Sequence, residues 1–343
     1  MIELPSMNKF WETFKIDHQF TGNLSAKFDL QTHSFFSDGK ESPEDLLFQA
    51  SEKELNAISV TDHNTVWGYK KSLFSYAKKL GITLVPGVEI EVAKDIDILV
   101  YNSDLDQNFE EFRKDIDDVV KVENKKRLDS ASSVIAEIRD YLLKESHKPD
   151  WLLWNAKKAD EKSEIINHLT LENAEKINLK TGDIDKESKR EYVGKPHIAA
   201  ILGKYKLVDW GIFANTYNVI NKNKLLKKSY EVLFTEIAEW PHIETDESMN
   251  QKISALNHLK ILAHPGKTFM DLGFEYSEAN FYEFISKNII KYNLDGAECF
   301  YENYENNTED FNSLTIQVLK KLSKKLEKTL YGTGGTDSHG SLK

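Results

Sequence analysis

Cysteine is almost absent from this sequence, which has one cysteine, Cys299, among 343 residues. A single thiol excludes a disulfide framework and a cysteine-rich zinc site. Long apolar runs are absent too. The N-terminal residues 1–20 mix aromatic and charged side chains and lack the apolar core of a signal peptide, and no stretch is long enough to span a bilayer. We therefore expect a soluble, cytoplasmic protein with no membrane partner.

Positive charge is also in deficit. The chain has 45 Lys and Arg residues against 56 Asp and Glu residues, a formal net charge of −11. This balance argues against broad, sequence-independent binding to a nucleic-acid backbone, which needs clustered basic residues. It still allows a local basic pocket for one phosphate, so a small phosphorylated substrate fits better than long duplex DNA.

The first part of the chain alternates strand and helix patterns. Residues 57–60 and 83–85 are short apolar runs typical of buried strands, and 96–100 is another. Between them, Ser42-Pro43-Glu44-Asp45 has the pattern of a helix start, and Gly81 is the expected end of a helix over 66–80. Strand–helix–strand alternation predicts parallel pairing.

The pattern then becomes helical. Apolar residues recur at steps of three and four within the charged stretch 110–146, which predicts an amphipathic helix. Further helical patterns occur at 171–177, 198–205 and 223–239, and strand patterns return at 260–263, 296–300 and 329–332. We predict an N-terminal extension (1–24), a first barrel part (25–107), a helical insertion or cap (108–246) and a second barrel part (247–343).

Seven short segments place a His, Asp or Glu close to an apolar, strand-like run. They are Asp29-Leu-Gln-Thr-His33, Ser37-Asp38-Gly39, Thr61-Asp62-His63, Gly87-Val-Glu89, Asp95-Ile-Asp97, Leu262-Ala-His264-Pro265 and Thr336-Asp337-Ser-His339. Because a barrel or open sheet gathers the C-terminal ends of its parallel strands on one face, we expect these residues to converge. Imidazoles and carboxylates gathered in this way bind two or three divalent cations, and such sites usually hydrolyse phosphoesters.

These segments resemble the motifs of one family. The run from Asp29 to Leu46, followed by Ile58-Ser-Val-Thr-Asp-His-Asn-Thr65, resembles the opening of the PHP (polymerase and histidinol phosphatase) metal-dependent phosphoesterases. The segments around Glu89, His264 and Asp337 are similar to later motifs of that family and come in the same order. Gly194-Lys195-Pro196-His197-Ile198-Ala199 is similar to the Gly-Arg-Pro-His-x-Ala stretch of the branch that contains nucleotide phosphatases and enzymes that trim RNA 5′ ends.

The resemblance implies an α/β fold, a distorted (β/α)7 TIM-like barrel, with up to three metals. The implied ligands of the first metal are Gln31, His33, Glu89 and Asp337. The implied ligands of the second are Glu89, His264 and Asp97, and those of the third are Asp38, His63 and His339. Glu89, His264 and Asp337 would form the catalytic centre. Closely spaced cations give a bridging hydroxide at neutral pH and neutralise charge on phosphate oxygens.

Two positions depart from the family pattern. Gln31 and Asp97 stand where family members usually and often, respectively, have His. Both changes favour oxygen ligation, so we expect Mn²⁺ first, with Fe²⁺, Mg²⁺ or Zn²⁺ as alternatives. A catalytically weakened member with a structural or regulatory role is the other explanation of Gln31. The remaining implied ligands are all present.

Lys195 and His197 are the candidates for binding the substrate phosphate, since a cation donates well to phosphate oxygens. The alternative for His197 is a structural role at a helix start. We expect an enzyme that removes a phosphate from a nucleotide or trims the 5′ end of a short oligonucleotide. A nuclease subunit of a larger nucleic-acid-processing complex is a second hypothesis. Because the sequence ends four residues after His339, either the natural chain is longer or a further domain or partner subunit covers that end.

Overall fold

The structure is a computed structural model that describes most of the chain. The described residues are 7–17, 20, 27–93, 96–103, 109–144, 148, 152–184, 190, 192–205, 207, 233–240, 247–301 and 311–342. Asp95, half of the predicted extension 1–24 and most of the predicted helix 223–239 lie outside them. Among the described helices, none combines the length and apolar character needed to cross a membrane.

Helices and strands alternate along much of the described chain. The helices are α1 (Met7–Glu12), α2 (Pro43–Glu52), α3 (Lys71–Leu80), α4 (Phe109–Leu143), α5 (Ala159–His168), α6 (Leu171–Lys176), α7 (Lys195–Lys204), α8 (Glu247–Ala255), α9 (Pro265–Asp271), α10 (Glu278–Lys291) and α11 (Phe311–Leu326), with a π-helical turn at Leu233–Ile237. The strands are β1 (Phe28–Thr32), β2 (Ala57–Val60), β3 (Thr83–Leu84), β4 (Gly87–Ala93), β5 (Ile96–Tyr101), β6 (Leu259–Leu262), β7 (Gly296–Tyr301) and β8 (Tyr331–Gly335).

The strands form two sheets. β1, β2 and β3 make a parallel three-stranded sheet, and a five-stranded sheet has the order β4-β5-β6-β7-β8. β5 runs antiparallel to both β4 and β6. Parallel pairing of this strand was therefore the wrong expectation, because only two residues separate β4 from β5 and a parallel crossover needs far more. The α/β class is confirmed, but the described ladders do not close into one ring, and the TIM-like barrel stays a prediction.

Isolated bridges join the two sheets near the ends of the strands that carry the chemistry. Thr32 pairs with Ser338, and His63 pairs with Glu89. The backbone N–H of Asp337 donates to the carbonyl of Gln31 at 2.9 Å. Gly335 is required here, because a Cβ added to it would lie 2.5 Å from the backbone nitrogen of Gln31. The last strand can therefore approach β1 closely only with glycine at this position.

Strand side chains alternate between two cores. Leu99 and Tyr101 of β5 pack with residues of β1 and β6 and with the aromatic residues that begin at Phe10. Ile98 and Val100, which point the other way, pack in the larger core that includes side chains of α2, α10 and α11. This period of two is the reason that single polar residues within these strands can face a site while their neighbours stay in the apolar core.

Local sequence determines where the first helices begin and end. Ser42 caps α2 and forms a capping box with Asp45, with Pro43 at the first helical position, as predicted. Gly81 ends α3 in the left-handed conformation with φ 73°, also as predicted. The predicted start of α3 at residue 66 was wrong. Val66 accepts a turn hydrogen bond from the backbone N–H of Tyr69, and the helix begins only at Lys71.

The chain divides into two compact units. The first unit comprises Met1–Ser34, Glu41–Lys121 and Glu244–Lys343, and it contains both sheets. The second comprises Phe35–Lys40 and Val122–Ile243, and its core is formed by apolar residues of α4 to α7 and of the π-helical turn. The domain boundaries drawn from the sequence, and the role of the helical part as a cap, stay predictions.

The hydroxyl of Tyr69 ties three strands together. Its oxygen accepts the backbone N–H groups of Val60 and Gly87, both at 3.0 Å, and it lies 2.8 Å from the carbonyl of Val60 and 3.0 Å from that of Val85. The side chain is 4% exposed. One phenol therefore supplies backbone partners at the edge where β2 and β3 meet β4.

We predict that Tyr69→Phe lowers the free energy of unfolding by about 1–3 kcal/mol, because two buried backbone N–H groups lose their acceptor. Equilibrium urea unfolding measures the change. Tyr76→Phe, on the half-buried side of α3, is the matched control and should change stability little. Equal stability of Tyr69→Phe and the wild type would contradict the assigned role.

Candidate metal centre

His33 lies at the centre of one group of potential ligands. It follows β1 directly, and its backbone N–H donates to the carbonyl of Ser338 at 2.8 Å. Its Nε2 atom is 2.9 Å from Oε2 of Glu89 and 3.1 Å from Oδ1 of Asp337. The side chain of His33 is fully buried. One imidazole nitrogen and two carboxylate oxygens therefore meet at a single point.

The other oxygen of Glu89 belongs to a second group. Oε1 of Glu89 lies 3.1 Å from Nε2 of His264, and the same imidazole nitrogen is 3.7 Å from Oδ2 of Asp97. The side-chain amide of Gln31 donates to Oε1 at 3.1 Å. Glu89 thus shares its two oxygens between two sets of ligands, as a carboxylate that bridges two cations does.

The strand ends explain only part of this convergence. His33, His63, His264 and Asp337 each follow the end of a strand, as expected. Glu89 instead lies within β4, and Asp97 is the second residue of the antiparallel β5. Asp97 reaches the site because it shares a strand face with Leu99 and Tyr101, so alternation along the strand brings it there.

Three histidine rings stack beside this centre. The ring of His33 lies between those of His63 and His339, with centroid distances of 4.5 Å and 4.2 Å. Nδ1 of His339 is 3.0 Å from the carbonyl oxygen of Asp337. The stacking places three imidazoles, each a potential metal ligand in its neutral form, side by side next to Glu89 and Asp337.

Three further carboxylates support the ligand-bearing backbone. Asp62 accepts hydrogen bonds from the backbone N–H and the hydroxyl of Ser34, at 2.7 Å and 2.6 Å, next to His33. Asp29 accepts the backbone N–H and hydroxyl of Thr336, at 3.0 Å and 2.7 Å, next to Asp337. Glu298 accepts the backbone N–H of His264 at 2.7 Å. The positions of Asp62 beside His63 and of Glu298 in a strand favour hydrogen bonding to a neighbour over metal binding, but the sequence does not identify the partners of these two residues or the role of Asp29.

His264 has an unusual backbone. Its φ and ψ are 27° and 57°, in the left-handed region, although Pro265 follows it and normally pushes the preceding residue towards extended conformations. Such a conformation costs about 1–3 kcal/mol and persists only where surrounding contacts hold it. Nδ1 of the ring lies 3.1 Å from the hydroxyl of Thr268. With Nδ1 engaged there, Nε2 is the nitrogen that faces Glu89.

The electrostatics show an excess of buried negative charge. Burial raises the pKa of Asp97 well above its usual value, and the charges of Glu89 and Glu91 raise it further. Burial also raises the pKa of Glu298. Burial alone would raise the pKa of Glu89 as well, but the neighbouring imidazoles of His63, His264 and His33 lower it well below the usual range. Additional positive charge would stabilise all three carboxylates in the ionised form.

These residues fit divalent metal ions. In the first unit, one ligand atom each from His33, Glu89 and Asp337, and likewise from Glu89, Asp97 and His264, lie within 4.8 Å of one another. Oε1 of Gln31 is buried and has no hydrogen-bond partner among the described residues, which leaves an oxygen for a cation. Asp38 belongs to the second unit, and its part in a third site stays a prediction, as does the identity of the metal.

His197 makes well-defined contacts within the second unit. It is fully buried, its Nδ1 accepts the backbone N–H of Gly194 at 3.1 Å, and its Nε2 lies 2.8 Å from the carbonyl oxygen of Ser37. Nε2 therefore carries the proton and donates it to Ser37. Arg190 also donates to this loop, at the carbonyl of Phe35. The contacts support the structural alternative for His197, whereas Lys195, half-buried at the start of α7, stays a predicted phosphate ligand.

A model of the PHP domain matches residues 29–239, which is more than half of the 343 residues. The chain belongs to the PHP family. The matched stretch contains Gln31 to Asp97 and the segment around His197, and it ends before His264 and Asp337. The structure nevertheless places these two residues beside side chains of the matched stretch, with Asp337 next to His33 and His264 next to Glu89.

Short parts of this chain are similar in sequence to 5′-3′ exoribonucleases. A 5′-3′ exoribonuclease of Haemophilus influenzae is 39% identical over 67 residues, 20% of this chain and 24% of the relative. The 5′-3′ exoribonuclease Rnm of Salmonella typhimurium is 31% identical over 87 residues, 24% of this chain and 30% of the relative. The matches thus span less than a third of these curated relatives.

The whole fold is similar to that of solved structures. A Bifidobacterium adolescentis protein assigned as a metal-dependent phosphoesterase superposes with a TM-score of 0.56 at 17% identity, covering 93% of this chain and 90% of that one. An amidohydrolase of Chromobacterium violaceum, solved with sulfate and no metal, also gives a TM-score of 0.56, at 16% identity, covering 92% and 88% of the two chains. Identities this low establish the fold alone.

We predict that Gln31→His increases the preference for Zn²⁺ over Mn²⁺, because it exchanges an amide for an imidazole beside Glu89. Elemental mass spectrometry after equilibration with both ions measures the ratio. Gln251→His, which adds a histidine to an exposed position of α8, is the matched control. An unchanged ratio in Gln31→His would mean that residue 31 does not bind metal.

We predict a pH-dependent contribution of His197 to stability. Burial, aided by the charge of Arg190, lowers the pKa of His197 to about 3, whereas in the unfolded chain it is about 6.5. Between these values the unfolded state binds the extra proton, so stability falls as the pH drops from 6.5 towards 3, by up to about 1.4 kcal/mol per pH unit. Urea unfolding at several pH values measures this slope.

His197→Gln cannot titrate and should show a shallower slope over the same pH range. His168→Gln, at a half-buried position of α5 away from these contacts, is the matched control. If His197→Gln and the wild type had the same slope, His197 would be protonated in the folded state and free to act as a cation towards phosphate.

Proposed function

We propose that this protein hydrolyses phosphate esters of nucleotides or the 5′ ends of short oligonucleotides with the help of divalent metal ions. The observation that carries the proposal is the shared carboxylate of Glu89, with His33 and Asp337 on one oxygen and His264 on the other. When bound, closely spaced divalent cations activate water and offset the negative charge that develops on phosphate oxygens.

The side chains of the centre have three proposed roles: catalysis, metal binding and orientation of the ligands. Glu89, His264 and Asp337 are the proposed catalytic centre, and Asp97 and Gln31 complete its two ligand groups. The hydroxyl of Thr268, 3.1 Å from Nδ1, orientates the ring of His264 so that Nε2 faces the centre. Asp29 and Asp62 keep the segments of Asp337 and His33 in place through backbone hydrogen bonds. This preorganisation lowers the cost of assembling the site around a phosphate.

The class of substrate follows from three observations. The relatives with partial matches are named 5′-3′ exoribonucleases, and the net charge of −11 disfavours long polyanions. The Gly194–His197 segment is similar to a stretch of the branch that contains nucleotide phosphatases and enzymes that trim RNA 5′ ends. A mononucleotide or a short RNA with a 5′-phosphate satisfies all three. Mn²⁺ is the ion we propose, because Gln31 and Asp97 add oxygen ligands.

We predict that the Mn²⁺-loaded protein releases mononucleotides from a 5′-phosphorylated RNA pentamer or inorganic phosphate from a mononucleotide. Chromatography of the products separates these two activities. His264→Ala and Asp337→Ala should each lower turnover at least about 100-fold, the scale of losing one electrostatic stabiliser of the transition state. Removal of metal with a chelator should abolish turnover, and added Mn²⁺ should restore it.

His168→Ala is the matched control, since His168 is a half-buried histidine of α5 outside the centre and its loss should leave turnover unchanged. Elemental mass spectrometry of the wild type should find two or three ions per chain. Turnover that survives in both His264→Ala and Asp337→Ala would reject the proposal. Bound metal without turnover of either substrate would favour the alternative of a structural or regulatory module.

A further inference from the structure

Glu298 is a buried carboxylate in an unfavourable place. It lies in the middle of β7, is 1% exposed, and is flanked by Ala297 and Cys299, which pack in the larger apolar core. Burial and the charges of Asp337 and Glu89 disfavour its ionised form. An apolar residue would therefore suit this strand position better if packing alone decided the choice.

Glu298 makes its hydrogen bond with a backbone N–H just beyond the end of β6. The last backbone bond beside β6 is donated by Ala263 to the carbonyl of Asp97 at 3.0 Å. At the next residue the chain turns into the left-handed region, and the N–H of His264 donates to Oε2 of Glu298 at 2.7 Å. The second oxygen of Glu298 is buried without a hydrogen-bond partner among the described residues.

The backbone of His264 determines where its ring lies. With Pro265 next in the chain, the residue would relax towards an extended conformation if nothing held its N–H. That relaxation would rotate the side chain away from Glu89 and Asp97, which lie 3.1 Å and 3.7 Å from Nε2. The contact between Nδ1 and the hydroxyl of Thr268 restrains the imidazole, and the backbone N–H of Thr268 donates to the carbonyl of His264 at 3.1 Å. Neither contact holds the N–H of His264.

We propose that Glu298 is a positioning residue, which holds the N–H of His264 and so keeps Nε2 directed at Oε1 of Glu89 and at Asp97. The inference rests on the proposed function, in which these three residues bind a divalent cation. It assigns to Glu298 no contact with substrate. What His264 needs from residue 298 is a hydrogen-bond acceptor at the correct reach, and the negative charge is secondary.

Three substitutions of Glu298 separate the effect of side-chain length from the effect of charge. Glu298→Gln keeps a carbonyl oxygen at the same distance and removes the charge. Glu298→Asp keeps the charge but is one methylene too short for the N–H of His264. Glu298→Leu removes the acceptor and keeps similar volume. Glu123→Leu, which removes another buried glutamate that pairs with Lys126 on α4, is the matched control for a general loss of stability.

The experiment is a titration of the metal-free proteins with Mn²⁺, with free ion followed by electron paramagnetic resonance. We expect Glu298→Gln and Glu123→Leu to bind like the wild type. Glu298→Asp and Glu298→Leu should lose about 10–100-fold in affinity for one ion, the scale of losing a group that orientates a metal ligand. The pH profile of kcat should keep its shape in Glu298→Gln, because the residue transfers no proton.

Wild-type affinity in folded Glu298→Leu or Glu298→Asp would overturn the inference and leave the proposed function intact. Equal weakening in Glu298→Gln and Glu298→Leu would also overturn it, since charge would then be the property that matters. If Glu298→Leu does not fold, Glu298→Asp provides the same comparison. Failure of the wild type itself to bind Mn²⁺ would reject the proposed function together with this inference.

Discussion

The shared carboxylate of Glu89 is the interaction on which the rest of this centre depends. Its side chain joins the group around His33 to the group around His264. Its backbone also joins the two sheets, because its N–H donates to Asp62 at 3.3 Å and its carbonyl accepts from Asn64 at 2.8 Å. One residue therefore links the ligands to one another and the strands to one another, so an error in the register of β4 would disturb both.

Burying this much acidity is unfavourable, and the protein offsets it locally. Asp29, Asp62 and Glu298 each accept a backbone N–H from a segment that carries a candidate ligand, and such hydrogen bonds reduce the cost of burying a polar group. The candidate ligand carboxylates Glu89, Asp97 and Asp337 each have an oxygen within 3.7 Å of an imidazole nitrogen. Because an ion that binds only the folded state stabilises it by mass action, metal bound by these residues would also raise the stability of the fold.

Much of the fold and part of the centre could be predicted from the sequence. The capping box of α2 and the glycine at the end of α3 could be predicted because each depends only on residues that are close in sequence. The convergence of His33, His264 and Asp337 followed from strand ends. The antiparallel β5 and the position of Glu89 within β4 could not be predicted, because they depend on which strands pair. The partner of Glu298 depends on a turn more than 30 residues away in the sequence, so the pattern around Glu298 could indicate a hydrogen bond but not that it is made with His264.

The division of the chain has a consequence for the modularity of this protein. The short segment Phe35–Lys40 belongs to the helical unit, while the residues on both sides of it belong to the unit that contains the sheets. The polypeptide therefore passes from one unit to the other at four places rather than two. Excision of residues 122–243 would remove the packing partners of this segment, including His197 and Arg190. A gene rearrangement that inserts or deletes residues 122–243 alone would therefore separate the segment Phe35–Lys40 from the rest of its unit.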